Sequence, residues 1–266
     1  MRAPQDSRGL SDLSGVSFQA ADVAAHYVHR PPYAQDVYRA IAACAPGAGR
    51  LLDLGCGEGK IARPMALSFD EVVAVDPSAA MIALGRTLEN GQAANIAWTC
   101  ATAEEAALDG LFDVVTFGSS IHWMDPEAVF AKLRSHVTPG HRIAIVAGED
   151  AYEPAWAPAW REFLEKWVPE VTGRPLGSHE WRASRARHLA HLDVIRTEVF
   201  VSEPFEQSVE SFILCQHSRN TFTLSNLGAR VDKFRDALRR VLTPYADAKG
   251  VLSYRVQTRL TLATLS

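Results

Sequence analysis

The segment "LLDLGCGEGK", residues 51–60, constrains the fold of this chain more than any other stretch. Its apolar run, which ends at Asp53, is typical of a buried strand, and glycines then alternate with other residues at Gly55, Gly57 and Gly59. Glycine tolerates positive φ angles and lets a ligand approach the main chain closely. The segment therefore predicts a strand that leads into a ligand-binding loop.

Short apolar strands alternate with helical patterns up to about residue 150. This alternation is typical of parallel βαβ units, in which helices cover both faces of the sheet. Ligands of such sheets bind beyond the carboxyl ends of the strands. The loops after four of these strands are therefore expected along one edge, as the predicted site; the strands end at Asp53, Asp76, Ala101 and Phe117.

The pattern changes in the second half of the chain, where tryptophans and prolines accumulate after residue 150. A later segment places Val231, Phe234, Leu238 and Leu242 on one face of an amphipathic helix. We predict a disordered N-terminus over residues 1–20 and one domain over 21–266, divided into a cofactor-binding core (34–150), a helical cover (151–191 and 206–245) and a final strand (251–265).

Composition narrows the class of partner. Of 266 residues, 47% are hydrophobic and 22% are charged, which is ordinary for a globular protein. A formal net charge of −4 disfavours a general nucleic-acid-binding face. The four cysteines are scattered without a C-x-x-C pair, as in reduced cytoplasmic proteins. No apolar run reaches the length of a membrane span, and the N-terminus lacks the apolar core of a secretory signal.

We therefore expect a cytoplasmic protein that acts on a small molecule, with neither nucleic acid nor membrane as a partner. No metal site is expected, because His188 and His191 lack a third ligand nearby in the sequence. The arginines at positions 182, 185 and 187 indicate a solvated face, and the sequence leaves the oligomeric state open.

The glycine loop fits neither common nucleotide fingerprint. A P-loop requires a serine or threonine after its lysine, and Ile61 follows Lys60 here. A dinucleotide loop requires G-x-G-x-x-G, whereas these glycines occur at every second position. Asp53, just before the loop, would also repel a pyrophosphate and attract a cationic ligand.

Asp76 ends the second predicted strand, about 20 residues after the first loop glycine, where an acidic residue accepts both ribose hydroxyls in related folds. The ligand is thus predicted to carry a ribose, a positive charge and no pyrophosphate. S-adenosylmethionine, with its α-amino group and sulfonium, meets these requirements.

At this point the sequence resembles the class I S-adenosylmethionine-dependent methyltransferases. The resemblance rests on four segments in the family's order, and it covers residues 26–148 well: "LLDLGCGEGK", "VVAVDPSAAMI", "CATAEEAALDGLFDVVTFGSSIHWMD" and "LRSHVTPGHRIAI". It implies an α/β, Rossmann-like, seven-stranded and mostly parallel sheet with helices on both faces and a helical lid insertion. It also implies that the last strand is antiparallel.

The resemblance implies cofactor contacts at the carboxyl ends of the strands. Asp53 would order the amino end of the cofactor, while Gly55 and Gly57 would line its methionine portion. Asp76 would bind the ribose hydroxyls. The remaining implied cofactor residues are Pro77, Met81, Thr102, Ala103 and Ser119. Family members often carry an aspartate at the position of Thr102, and a threonine hydroxyl accepts a hydrogen bond less strongly.

Upstream, "HYVHRPPY" resembles a segment that precedes the first helix in many small-molecule methyltransferases, the branch that includes trans-aconitate methyltransferase-like proteins. "HWMD" after the fourth strand also matches that branch. Tyr27, Arg30 and Tyr33 would then cover the cofactor, and Arg30 would pair with its carboxylate.

His122 is the candidate catalytic base, since it follows the fourth strand and a histidine can take a proton near neutral pH. The alternative is that it only shapes the pocket, because many methyl transfers need alignment rather than a base. Trp123, His217 and Arg219 are candidate substrate-binding residues. Two other functions stay open: a nicotinamide-dependent oxidoreductase on a similar fold, and a cofactor-binding protein without catalysis.

Overall fold

The computed structural model describes residues 21–45, 49–177 and 187–266. The strands are β1 (Arg50–Leu54), β2 (Glu71–Asp76), β3 (Ile96–Cys100), β4 (Phe112–Gly118), β5 (Val137–Ala147), β6 (Ala151–Tyr152), β7 (Leu192–Val201), β8 (Phe205–Ser208) and β9 (Val251–Leu265). The helices are α1 (Ala21–Tyr27), α2 (Gln35–Ala42), α3 (Ala62–Met65), α4 (Ala79–Thr87), α5 (Pro126–Leu133), α6 (Ala157–Thr172), α7 (Val209–His217), α8 (Leu224–Leu227) and α9 (Val231–Leu242).

The central sheet has the order β3-β2-β1-β4-β5-β9, and β7 lies on the far side of β9. Strands β1 to β5 are parallel, whereas β9 is antiparallel to both β5 and β7. The predicted Rossmann-like sheet with an antiparallel last strand is therefore confirmed. Its strand order reverses beside β1, and this switch point opens the crevice in which such folds bind ligands.

Two short strands extend the sheet beyond the seven that were predicted. β6 and β8 pair with the N-terminal half of β9. The chain leaves the sheet after Val201 and returns at Phe205. Pro204, which lies in this break, has no N–H to donate to a ladder.

Local signals set the helix starts near the site. Asp125 caps α5 by accepting a hydrogen bond from the Ala128 N–H at 2.9 Å, and Pro126 occupies the first helical position. Ser78 caps α4, one residue after Pro77. α3 is a single turn, so Pro64 lies within its first turn, where it is tolerated. α5 ends at Leu133, and β5 already begins at Val137.

The helices of the second half pack around their own aromatic core. Trp156, Trp167 and Phe234 are each at most 2% exposed, and the Trp167 and Phe234 rings meet edge-on at 5.1 Å. Phe234, Leu238 and Leu242 of α9 are buried on one face, as the periodicity predicted. Trp156 and Trp167 thus lie in the interior of these packed helices.

Some predictions fall on residues outside the described ranges, namely those on the first 20 residues and on Trp181, Arg182 and Arg185. Across the residues that are described, none of the helices combines the length and the apolar character that crossing a bilayer requires.

Candidate functional site

A cavity of about 340 Å³ opens beyond the carboxyl ends of β1, β2 and β4, in the size range of small-molecule sites. Sequence positions far apart meet here. The predicted cofactor residues that line it are Tyr27, Arg30, Gly55, Gly57, Asp76, Pro77, Met81, Thr102, Ala103 and Ser119. His122, Trp123 and Arg219 line it too. A recess lined by Asp53 shares Tyr27, Gly55 and Gly57 with the cavity.

The glycine loop is built on positive φ angles. Gly55 has φ of 67° and Gly57 has φ of 56°, a region that other residues enter at a cost. A Cβ on Gly55 would lie 2.5 Å from the Ser120 Cβ, whereas a Cβ on Gly57 would meet no atom within 4 Å. Close packing against Ser120 explains why position 55 is a glycine. Gly57 borders the open cavity.

Asp76 organises the loop from the end of β2. Its Oδ2 accepts a hydrogen bond from the Gly57 N–H and its Oδ1 accepts one from the Ser78 N–H, both at 2.8 Å. The side chain is largely buried, and burial raises the pKa of Asp76, although the two backbone hydrogen bonds oppose that shift. Each carboxylate oxygen keeps a second acceptor site, so the group can still receive hydroxyl donors from the cavity.

Asp53 lies beneath the loop at the floor of the recess. The Thr116 hydroxyl donates to its Oδ1 at 2.7 Å, and the Ala62 N–H donates to its Oδ2 at 3.1 Å. The residue is 1% exposed, and burial raises the pKa of Asp53 to about 7 against the effect of these hydrogen bonds. A cationic group in the recess would stabilise the ionised form, because opposite charge lowers a carboxyl pKa.

Met81 and Thr102 line another part of the cavity. Met81 is 2% exposed and packs against Val23 and Ala24 of α1, so it belongs to a small core while also lining the cavity. Thr102 accepts a hydrogen bond from the Glu105 N–H at 3.2 Å. Its hydroxyl therefore also stabilises a local turn, a partner that the sequence did not reveal.

Tyr27 and Arg30, at the end of α1 and just beyond it, line the cavity. The Arg30 guanidinium lies 4.1 Å from the centre of the Tyr27 ring, a cation–π contact. It also donates through Nε to the Ser218 hydroxyl at 2.8 Å and through Nη2 to the Ser218 carbonyl at 2.7 Å. Tyr33 donates to the Ser119 hydroxyl at 3.3 Å. Arg30 thus connects the cofactor side of the cavity with the end of α7.

Glu149, which follows β5, was missed by the sequence analysis and holds a buried ion-pair cluster. Arg30 donates to its Oε1 at 2.5 Å and Lys60 pairs with its Oε2, while the Glu149 side chain is 8% exposed. Although burial opposes it, the two neighbouring cations hold the pKa of Glu149 well below its usual range. Lys60 also donates to the Pro31 carbonyl at 3.1 Å. The sequence signal that could have identified Glu149 is its position two residues after the end of β5, the last parallel strand.

His122 and Trp123 form part of the cavity wall. Their rings lie 4.5 Å apart on a single 3₁₀ turn that follows β4. Burial, together with the nearby His188, lowers the pKa of His122 to about 4, so the imidazole is neutral at physiological pH. Ser119, just before this turn, has φ of 53°, and its N–H donates to the Val146 carbonyl at 2.9 Å.

Arg219 and His217, both predicted to bind substrate, occupy different environments in the structure. Arg219 reaches the cavity and pairs with Asp150 at 2.8 Å. His217 lies outside the cavity lining, 1% exposed within the lid. Its Nε2 accepts a hydrogen bond from Arg235 Nε at 3.0 Å, and its Nδ1 contacts the Phe222 carbonyl at 2.9 Å. Its position does not support substrate contact, because α7 turns it inward.

Comparison with known proteins agrees with this geometry. Residues 51–140 match the family model described as a methyltransferase domain. A ubiquinone biosynthesis O-methyltransferase from Caulobacter sp. (strain K31) is 32% identical over 137 residues, which cover 50% of this chain and 52% of the relative. Its counterpart from Bradyrhizobium sp. (strain ORS 278) is 29% identical over 134 residues, which cover 50% and 51%. The matched region spans about half the length of these relatives.

A solved structure extends the fold match to most of the chain. A putative type II methyltransferase from Anaeromyxobacter dehalogenans superposes with a TM-score of 0.65 at 19% identity, covering 88% of this chain and 96% of that one. The fold, the family match over the glycine loop and the gathering of the predicted residues around one cavity agree. Residues 51–140 therefore carry a methyltransferase domain, and the fold of a solved methyltransferase extends over most of the chain.

Proposed function

We propose that this protein transfers a methyl group from S-adenosylmethionine to an oxygen atom of a small-molecule acceptor. The observation that carries the proposal is that one cavity joins ten predicted cofactor residues to His122, Trp123 and Arg219. The two relatives described above are O-methyltransferases, which supports oxygen as the receiving atom.

The chain's own residues would bind and orient the reactants. Asp53 and the glycine loop would hold the amino-acid end of the cofactor, and Asp76 would hold its ribose. When bound, the cofactor supplies a methyl group that is open to in-line displacement. The lid excludes water, and alignment of the acceptor oxygen with that methyl group provides much of the rate.

His122 would accept the proton, or a hydrogen bond, from the acceptor hydroxyl. Its low pKa keeps the ring neutral and able to accept, but it also makes the ring a weak base. We therefore assign His122 a modest contribution to the rate of methyl transfer. The Trp123 indole, which lies beside the His122 ring, offers an aromatic face on which an aromatic acceptor can stack.

The acceptor end is polar as well as aromatic. Glu149, Asp150 and Arg219 line the same cavity as His122 and Trp123. This mixture favours a small aromatic compound with polar substituents, such as a phenol, over a protein or nucleic acid. The free cysteines of the described residues support a cytoplasmic setting for the enzyme.

A methyl-transfer assay tests the proposal. The protein would be incubated with S-adenosylmethionine that carries a labelled methyl group and with a panel of phenols, catechols, carboxylic acids and amines. We expect label in ether products of phenolic hydroxyls. Label only in amines or carboxylic acids would overturn the assignment to phenols. If the cofactor bound but no panel member acquired label, the non-catalytic alternative would be favoured.

A further inference from the structure

β7 is an edge strand with one partner. Over Leu192–Val201 it pairs with β9, and along its other side no strand from the described ranges is paired with it. Its free N–H and C=O groups form a template for another strand. Ten residues is a long run for such an edge.

The strand also exposes apolar side chains. Val194, Ile195 and Val199 are each about half exposed, at 51%, 52% and 50%. Lysine and proline, which commonly protect edges, do not occur in "LDVIRTEVFV". One irregularity falls at Ile195, and the pairing from Arg196 to Val201 is regular.

Two opposite charges lie on one face of this regular stretch. Arg196 Nε and Glu198 Oε1 form an ion pair at 2.5 Å, and their side chains are 55% and 38% exposed. Residues two apart along a strand point to the same face. The other face at this point carries Thr197 and Val199.

One register pairs these opposite charges across two copies. In an antiparallel pair related by a two-fold axis, opposite residues share a face, so the axis must pass through a residue position. An axis through Thr197 places Arg196 opposite Glu198 of the partner subunit. An axis through Arg196 or through Glu198 would instead place like charges against each other, which is destabilising.

We propose that β7 docks on β7 of a second copy, antiparallel and centred on Thr197. Four alternating charges then surround the axis on one face. On the other face, Thr197 meets its own copy. The two sheets become continuous, and apolar side chains that are exposed in one copy are covered.

Charge reversal tests the register. Sedimentation equilibrium would compare the unaltered chain with Arg196→Glu, Glu198→Arg and the double variant, at concentrations up to about 200 μM, where even a weak dimer is populated. We expect a dimer that each single reversal weakens at least tenfold and that the double reversal restores. A monomer throughout, or a dimer indifferent to the single reversals, would overturn the proposal.

A cysteine at the axis gives an independent test. In Thr197→Cys the two new thiols would face each other at Cα distances of about 4.5–5.5 Å, which suits a disulfide. In Val201→Cys, the matched control, the thiols would be roughly 27 Å apart. Mild oxidation should cross-link the first variant and not the second. Equal cross-linking of both, or of neither, would contradict this register, and intact binding of S-adenosylhomocysteine would show that each variant is folded.

Discussion

The carboxylate of Asp76 accepts a hydrogen bond from the backbone N–H of Gly57 at 2.8 Å. This contact joins the end of β2 to the loop that follows β1, so the two halves of the proposed cofactor site form one unit. The ribose and the methionine portion of one ligand could then be held by a single rigid arrangement. The variants below separate this unit from the rest of the fold.

Asp76→Ala should weaken binding of S-adenosylhomocysteine at least tenfold, about 1.4 kcal/mol. The substitution removes both proposed ribose acceptors and releases the Gly57 and Ser78 N–H groups. Isothermal titration calorimetry measures the effect. Asp232→Ala, on the exposed first turn of α9, is the control and should bind as the unaltered chain does. An unchanged dissociation constant for Asp76→Ala would refute the ribose assignment.

Gly57→Ala should weaken cofactor binding more than it lowers stability. Gly173, the C-cap of α6, is a matched control, because both glycines have positive φ and a Cβ at either would meet no atom within 4 Å. Each alanine should cost about 1–2 kcal/mol of unfolding free energy. Only the one at Gly57 would add a methyl group at the cavity, so calorimetry should find weaker binding for that variant alone. Equal affinities would mean that the loop does not contact the cofactor.

Glu149→Gln should lower the unfolding free energy by about 3–5 kcal/mol at pH 7, because Arg30 and Lys60 lose their buried counter-ion. The pKa of Glu149 is depressed in the folded state, so its contribution is present above the unfolded value, about 4.3, and is lost as the pH falls below it. Urea unfolding at both pH values should show that the difference in unfolding free energy between the unaltered chain and Glu149→Gln is smaller at pH 3.5 than at pH 7.

The neighbouring carboxylate provides the control for this variant. Asp150 is 75% exposed in its pair with Arg219, so Asp150→Asn should cost less than about 1 kcal/mol. Similar losses for the two variants would show that Glu149 does not anchor the cluster.

His122→Gln should lower kcat by about 10- to 100-fold on a phenol that the enzyme methylates, at the low end for a general base because the pKa of His122 is about 4. The dissociation constant of S-adenosylhomocysteine should change less than twofold. For the unaltered enzyme, kcat should be independent of His122 protonation above pH 6. If kcat stays within twofold, His122 only shapes the pocket.

The local part of the site was predictable because strand ends and glycine spacing are encoded in short stretches. Asp76 and the loop glycines lie in such stretches, and the parallel direction of β1 to β5 follows from the alternation of strands and helices. The Glu149 cluster was not predictable, because it joins segments that are distant in sequence. His217 was placed wrongly relative to the cavity, since which face of a lid helix turns inward depends on packing against Phe234 and Phe222.

The most direct test is a calorimetric comparison of S-adenosylmethionine, S-adenosylhomocysteine and NADH on the unaltered chain. The loop spacing and the buried Asp53 leave no favourable place for a pyrophosphate. We predict saturable binding of both sulfur compounds with one site per chain and no detectable heat from NADH. Tight binding of NADH with no response to either sulfur compound would contradict the account.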